Sequence, residues 1–195
     1  MYEYIKGKVI AIESNKVIIE NNFIGYGIFT SNNSLSKIVP NIEIVIYTYL
    51  HVKEDIFQLY GFIDKEELTL FKMLISISGV GPKAALSVLS TLSTKELAVA
   101  IATNDDVSIA KAKGVGKKTS QRIILELKDK FKNIEADSDS SLSTKDDNNK
   151  LFEEAKMALM VLGYKAKDAK NIIEKVYNEK DTLEDIIRKT LQSIN

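Results

Sequence analysis

The chain has 195 residues, 45% of them hydrophobic, which is enough for one large domain or two to three small ones and excludes disorder throughout. It contains no cysteine, which excludes a disulfide frame, a thiolate nucleophile and a cysteine-based zinc site. Its 27 basic and 27 acidic residues cancel, no run of about eighteen apolar residues is present, and Met1 to Lys8 is polar and charged, so a cytoplasmic protein without a membrane span is expected.

Residues 1–63 read as β structure. Alternation is clear from Ile42 to Leu50, and β-branched residues dominate Val17-Ile18-Ile19. Turn signals fall at Ser14-Asn15, Asn21-Asn22, Ser31-Asn32-Asn33-Ser34 and Lys53-Glu54-Asp55, which predicts strands near 4–13, 16–20, 23–30, 42–53 and 56–62. Five short strands in so few residues suit a closed barrel, most commonly an OB-fold. Gly25 and Gly27, flanking Tyr26, suit a strand that bends sharply to close it. Glu54 and Asp55 are adjacent acids between two long strands, and read either as a polar turn or as a charged hairpin tip.

Residues 64–132 read as helical. Asp64 and Glu67 form a capping pair by spacing, ahead of the helix carrying Leu68, Phe71, Met73 and Leu74. Pro82 falls at a first helical turn, where its missing N–H costs nothing. Thr94-Lys95-Glu96-Leu97 opens another helix, which Asn104 to Asp106 interrupts.

Within this stretch Gly79-Val80-Gly81 recurs 35 residues later as Gly114-Val115-Gly116. Leu74 and Ile77 precede the first copy and Ala84, Ala85 and Leu89 follow it; Ile109 and Ala112 precede the second and Thr119, Ser120 and Ile124 follow it. Each copy is therefore a short apolar helix, a Gly-hydrophobic-Gly turn and a second helix. Glycines permit positive φ and leave no side chain to block close approach. The turn ends at a helix N-terminus, whose free N–H groups and dipole favour an anion. Lys83 follows the first turn, and Lys117, Lys118 and Arg122 follow the second. Nothing here reads base edges, so contact with sugar-phosphate backbone, independent of sequence, is expected. A mononucleotide P-loop is excluded by spacing, because the position five before Gly116 is Lys111 and Val107 to Lys113 reads as helix.

Charge is unevenly distributed. Residues 111–132 carry a net +6, as a basic stripe does in a backbone-binding protein. Lys128, Lys130 and Lys132 in this stretch read as a solvated helix face around an apolar side of Leu125, Leu127 and Phe131. Residues 133–149 carry a net −4 with almost no apolar content, and read as a flexible acidic linker. Helical spacing resumes over 150–195, broken at Gly163-Tyr164 and at Asn178 to Asp181, which predicts three helices. A core of that size is marginal, and a small domain on a tether suits a partner-binding role. The only histidine, His51, lies in a strand and reads as a core or barrel-surface residue; Asp105-Asp106 reads as a solvated loop or helix cap. No catalytic constellation, metal ligand set or cofactor is expected.

A five-stranded barrel, tandem helix-hairpin-helix motifs, an acidic linker and a three-helix tail, in this order, resemble the bacterial RuvA family of Holliday-junction-binding proteins. The matching residues are Gly25-Tyr26-Gly27, Lys53-Glu54-Asp55, Leu59-Tyr60-Gly61-Phe62, Thr69-Leu70-Phe71, Gly79-Val80-Gly81-Pro82-Lys83, Gly114-Val115-Gly116-Lys117-Lys118-Thr119, Glu126-Leu127-Lys128 and Leu162-Gly163-Tyr164. One departure is Ala112-Lys113, where the family typically has Leu-Pro; the entry to the second turn is less rigid and gains a charge. The resemblance implies an α+β multidomain protein: an OB-fold barrel at 1–63 that tetramerises and meets the junction centre, a tandem helix-hairpin-helix domain at 64–132 that binds DNA, a linker at 133–149, and a three-helix bundle at 150–195 that binds a motor. It implies a homotetramer or a doubled octamer holding a four-way junction open and square-planar, with the RuvB ATPase and the RuvC resolvase as partners and ATP used only by the motor. Glu54 and Asp55 would be an acidic pin, repelling phosphates at the crossover. Gly79, Val80, Gly81, Lys83, Gly114, Val115, Gly116, Lys117, Lys118 and Arg122 would hold the arms by their backbones. The competing expectation is a structure-specific nuclease subunit with Glu54 and Asp55 as metal ligands, but two adjacent acids without a third make a poor magnesium site.

Overall fold

The computed structural model describes residues 2–136, 147–178 and 181–193. Contacts divide the chain into two compact units, Met1–Ser93 with Ala112–Gly114, and Thr94–Lys111 with Val115–Asn195.

The first unit opens with strands β1 (Tyr4–Ile12), β2 (Lys16–Asn21) and β3 (Ile24–Phe29), a single helical turn α1 (Asn32–Leu35), and strands β4 (Glu43–Lys53) and β5 (Ile56–Phe62). The strands close into a barrel in the order β1-β2-β3-β5-β4, the OB-fold arrangement. Every pairing is antiparallel except β3 with β5, which meet in parallel through Ile28 opposite Leu59 and Phe29 opposite Tyr60. Alternation in the sequence becomes an inside and an outside: Ile5, Val9, Val17, Ile19, Ile28 and Ile46 fill the interior. Gly25 and Gly27 are not what lets the barrel close, because a Cβ there would meet nothing nearer than 3.5 Å. The tight positions are Gly7, where a Cβ would lie 2.2 Å from the Glu20 carbonyl oxygen, and Gly61, where it would lie 2.6 Å from a methyl of Ile28. A register shift between Val9 and Ala11 bends β1.

Helices α2 (Lys65–Ile75) and α3 (Pro82–Thr91) complete this unit. Phe71 of α2 stacks on Tyr60 at 5.2 Å between ring centroids, with Phe62 at 5.1 Å and Tyr49 at 5.6 Å, so α2 covers the outer face of β4 and β5. His51 lies on this face against Tyr49 and Tyr60. The segment Ser31 to Ser34, expected as a turn, is α1: the Ser31 side chain caps it by accepting the Ser34 amide at 3.0 Å. Asn33 then donates its side-chain amide to the carbonyls of Leu89 and Leu92 at the end of α3. The expected Asp64–Glu67 capping pair does not form. Asp64 makes no side-chain cap and pairs with Lys37, and Glu67 turns inward, accepting hydrogen bonds from the hydroxyls of Ser31 and Ser34.

The second unit holds α4 (Thr94–Thr103), α5 (Asp106–Ala110), α6 (Lys117–Ala136), α7 (Asp147–Val161), α8 (Ala166–Val176) and α9 (Leu183–Ser193). Asp105 caps α5 by accepting the Ser108 amide at 3.0 Å, and its hydrogen bonds to Ser108 hold its carboxyl below the usual range. Ile123, Ile124 and Leu127 are the buried side of α6, whereas Leu125 points to solvent, because 125 and 127 lie on opposite faces of a helix. Lys128 is half-buried, and its ammonium donates to the Ala102 carbonyl at 3.0 Å near the end of α4, so it is not part of a solvated face. Helix α7 packs on α4 as well as on α8 and α9. It ends at Gly163, with φ +93, where the Gly163 and Tyr164 amides return to the Met160 and Leu159 carbonyls. The segment expected as a linker, 133–149, is helical at both ends, since α6 runs to Ala136 and α7 begins at Asp147; its middle, 137–146, lies outside the described residues. No single described helix is long and apolar enough to cross a membrane.

Burial pushes the Glu67 carboxyl above the ordinary carboxylate range, and the two seryl hydroxyls offset this only in part. The folded chain thus holds this proton more tightly than the unfolded chain. The resulting stability is fully present at acid pH and is lost as pH rises through the folded-state value. Chemical denaturation across pH 4–8 should therefore show a smaller fall in stability for Glu67→Gln than for the wild type on this account (about one titrating group). Glu67→Ala, which leaves two buried hydroxyls without their acceptor, should lose about 2 kcal/mol.

Candidate nucleic-acid interface

The two Gly-Val-Gly turns have one construction. After α2 the chain leaves the helix at Ser76, and the Ile77 and Val80 amides return to the Leu74 and Ile77 carbonyls at 3.1 and 3.0 Å. Gly79 then takes φ +87, a left-handed conformation that a side chain resists. In the second copy Gly114 takes φ +83. Val80 and Val115 between the glycines are both buried, as are Ile77 and Ala112 ahead of them, so each turn is pinned from inside. The first helical hydrogen bond after each turn is the same bond 35 residues apart: Ala85 to Gly81 at 3.0 Å and Ser120 to Gly116 at 2.9 Å.

The second glycine of each pair is informative in a different way. Gly81 is extended at φ −85, and Gly116 is not among the positive-φ glycines, so neither backbone requires glycine. A Cβ at Gly81 or Gly116 would meet nothing within 4 Å. The bare backbone is thus not demanded by the protein's own packing; it leaves room for a group from outside. The first-turn amides behind each glycine have no carbonyl four residues back to bond. Together with the exposed Lys83, Lys113, Lys117 and Lys118, they make two similar anion-accepting turns. Arg122 is exposed too, with its Nε bonded to Glu126 at 2.7 Å along the outer side of α6.

Glu54 and Asp55 occupy the two-residue turn between Lys53 and Ile56, which are paired across the β4–β5 hairpin. Both are exposed, and among the described residues neither has a hydrogen-bond or ion-pair partner. Among the described residues no group of three or more His, Asp or Glu is placed to hold a metal ion, so the nuclease reading finds no donor set here. Sequence reasoning gave this tip only its two acids. The structure adds exposed apolar side chains beside them, Val52, Ile56 and Phe57. The available signal was that Phe57 keeps the inward spacing of Leu59 and Gly61 past the point where the barrel has an interior.

Comparison with known proteins gives a consistent result along the whole chain. Residues 1–61 match the family model of the RuvA N terminal domain, 71–129 that of the SAM-like helix-hairpin-helix tandem, and 150–195 that of the RuvA C-terminal domain. Among curated relatives, the Holliday junction branch migration complex subunit RuvA of Clostridium beijerinckii is 47% identical over 197 residues, covering 100% of this chain and 99% of that protein. The protein of the same name from Acetivibrio thermocellus is 44% identical over 199 residues, covering 100% and 98%. That of Clostridium botulinum (strain Loch Maree / Type A3) is 45% identical over 197 residues, covering 100% and 99%.

The two kinds of glycine should separate in a thermal denaturation experiment. Gly79→Ala and Gly114→Ala force a Cβ into the left-handed region and should each cost about 1–2 kcal/mol. Gly81→Ala and Gly116→Ala should cost less, about 0.5 kcal/mol net, because the weaker cap is partly offset by the lower entropy of the unfolded chain without that glycine. Equal losses at all four positions would mean that the second glycines are structural after all.

Proposed function

The chain belongs to the RuvA family, and on that premise we propose that it is the non-catalytic DNA-binding subunit of a branch-migration complex that holds a four-way junction open for a motor. The observation that carries this reading is the pair of equivalent turns, each with an unobstructed glycine, unsatisfied helix N-terminal amides and lysines that follow at once. Such turns suit two phosphate groups of a DNA backbone and carry no base readout, so binding is independent of sequence.

The assembly is a fourfold homotetramer or its doubled octamer, with the barrels at the centre and the hairpins along the arms. Glu54 and Asp55 of each subunit then form a pin at the crossover, where carboxylates repel phosphates and keep the separating strands apart. A carboxylate beside a phosphate costs about 1 kcal/mol in water and more where solvent is excluded, so these acids lower affinity for any uninterrupted backbone across the centre. That cost is what makes a junction preferable to a duplex. Helices α7 to α9 dock on the RuvB ATPase, which uses the ATP, and the RuvC resolvase joins the assembled complex. The protein itself needs no cofactor and works in the cytoplasm.

A gel shift comparing a four-way junction with a linear duplex of equal length tests the reading directly. The junction should bind far more tightly, and log affinity should fall with log salt at a slope of about −0.9 per phosphate neutralised. Lys117→Ala should make that slope shallower by roughly one phosphate. Equal affinity for the two DNAs, or indifference to salt, would sink the proposal.

The pin makes a separate prediction. Glu54→Gln combined with Asp55→Asn should raise affinity for plain duplex by about fivefold or more per subunit contact, the equivalent of about 1 kcal/mol. Junction preference should shrink accordingly. A double variant that binds both DNAs as the wild type does would reduce these acids to a solvated turn.

A further inference from the structure

Among the exposed apolar side chains of the barrel, which also include Tyr4, Ile10 and Val45 on other parts of its surface, the two most exposed belong to two turn regions, β2–β3 and β4–β5. β3 runs parallel to β5, with Ile28 opposite Leu59, so both strands start at one end. Carried back along that register, Ile24 falls level with Asp55. The β2–β3 turn, Asn22-Phe23, and the β4–β5 turn, Glu54-Asp55, which precede these two strands, therefore stand at that one end of the barrel. At this end Phe23 is 98% exposed, Phe57 71%, Val52 59% and Ile24 56%. Val52, Phe57 and Ile24 continue the inward-facing positions of their strands, so they are the barrel's interior face where nothing covers it.

Phe23 is the most unusual of them. It sits at φ +62 in a two-residue turn whose first residue, Asn22, has φ +47. This turn type favours Asn followed by Gly, and a bulky side chain at positive φ costs free energy. The strain and the full exposure of a large ring have no counterpart in the packing of the barrel.

We propose that Phe23 and Phe57 are base-stacking side chains, which take the flat faces of unpaired nucleobases at the junction crossover beside the acidic turn. This rests on the junction-binding function proposed above. A second copy of the chain is the other natural occupant for an apolar patch, and the acids argue against it. A close protein interface here would take the Glu54 and Asp55 carboxylates out of water with no cation paired to them. A nucleobase has no charge and presents two apolar faces. The same carboxylates that turn phosphates away leave it unopposed, so the rings and the acids would sort a nucleotide into its two halves. Stacking on an aromatic ring also tolerates every base, in keeping with sequence-independent binding.

The test uses the full-length wild type and the double variant Phe23→Gly, Phe57→Thr. Glycine takes φ +62 without strain and threonine suits an exposed strand position, so the variant should fold, with unchanged circular dichroism. Two probes are bound: an immobile four-way junction with 5-iodouracil at the crossover, and a matched pair of junctions with either paired or mismatched crossover bases. Long-wave ultraviolet light should crosslink the iodouracil to the peptide containing Phe23 or Phe57. The wild type should prefer the mismatched junction by about tenfold, because its bases are already free to stack, and the variant should lose most of that preference. Crosslinks confined to other peptides, or a preference that survives in the variant, would overturn the proposal. So would a variant that falls to a smaller assembly on size-exclusion chromatography, which would give this surface to a second copy. A wild type that fails to distinguish junction from duplex would instead defeat the junction reading itself.

Discussion

The buried Glu67 carboxylate is the point on which the first unit's geometry turns. It accepts the hydroxyls of Ser31 and Ser34, and the Ser34 hydroxyl in turn accepts the Ile63 amide at 3.0 Å. The end of the barrel, the segment after β3 and the first turn of α2 are thereby joined by one polar cluster. Asn33, in the helical turn capped by Ser31, extends the connection to the end of α3. The first Gly-Val-Gly turn lies between α2 and α3, so its position is set at both flanks by hydrogen bonds that originate in the barrel. Hydrophobic packing alone would let α2 slide along the aromatic face of β4 and β5. A buried polar cluster, in which each group has one acceptable arrangement, removes that freedom.

The parts of this architecture that depend on local chemistry were legible in the sequence. Strand limits fall within about one residue of the alternation pattern, because each strand is half-buried and a slip would turn its apolar set outward. The paired turns were legible for the same reason: a glycine in the left-handed region, an apolar pin and a helix N-terminus all lie within a few residues. What depended on closure of the barrel was not legible. Gly25 and Gly27 looked like the bend because they flank a tyrosine, yet the crowded positions are Gly7 and Gly61, and only the cross-barrel neighbours Glu20 and Ile28 make them so. Ser31 to Ser34 looked like a turn because residues that favour turns also cap helices. Glu67 had the spacing of a capping partner, and only the presence of two serines from another segment draws it inward. The apolar rim beside Glu54 and Asp55 was only half legible: Phe57 keeps the inward spacing of Leu59 and Gly61, but nothing in sequence shows where a barrel's interior ends.

Electrostatics in this chain work by position, not by total. A neutral protein is a poor partner for DNA on average. Here the cations are concentrated after the second turn, while the carboxylates at the β4–β5 tip stand without partners. Arg122 shows the compromise at residue level: its bond to Glu126 fixes the side chain along α6 at the expense of some of its charge. Lys128 instead turns to the Ala102 carbonyl. The basic stripe counted in the sequence is therefore larger than the set of cations free to meet phosphate. That set centres on the lysines nearest the turns.

The small C-terminal helices raise a question of stability that α4 answers. Three helices of about a dozen residues each enclose too little apolar volume to be comfortably stable alone. In the last turn of α7 the run Ala158 to Val161 is buried at every position, which one flanking layer cannot achieve for a helix. The second layer is α4, which packs on α7 and whose Leu97, Ala98, Ile101 and Ala102 are fully buried. Helix α4 itself is tied to α6 through Lys128, and α6 is the helix that presents the second Gly-Val-Gly turn. A load applied to α8 or α9 would thus pass to α7 and then to α4 before it reached α6 and the second Gly-Val-Gly turn, so this chain of packed helices is a physical path that connects the C-terminal helices to that turn.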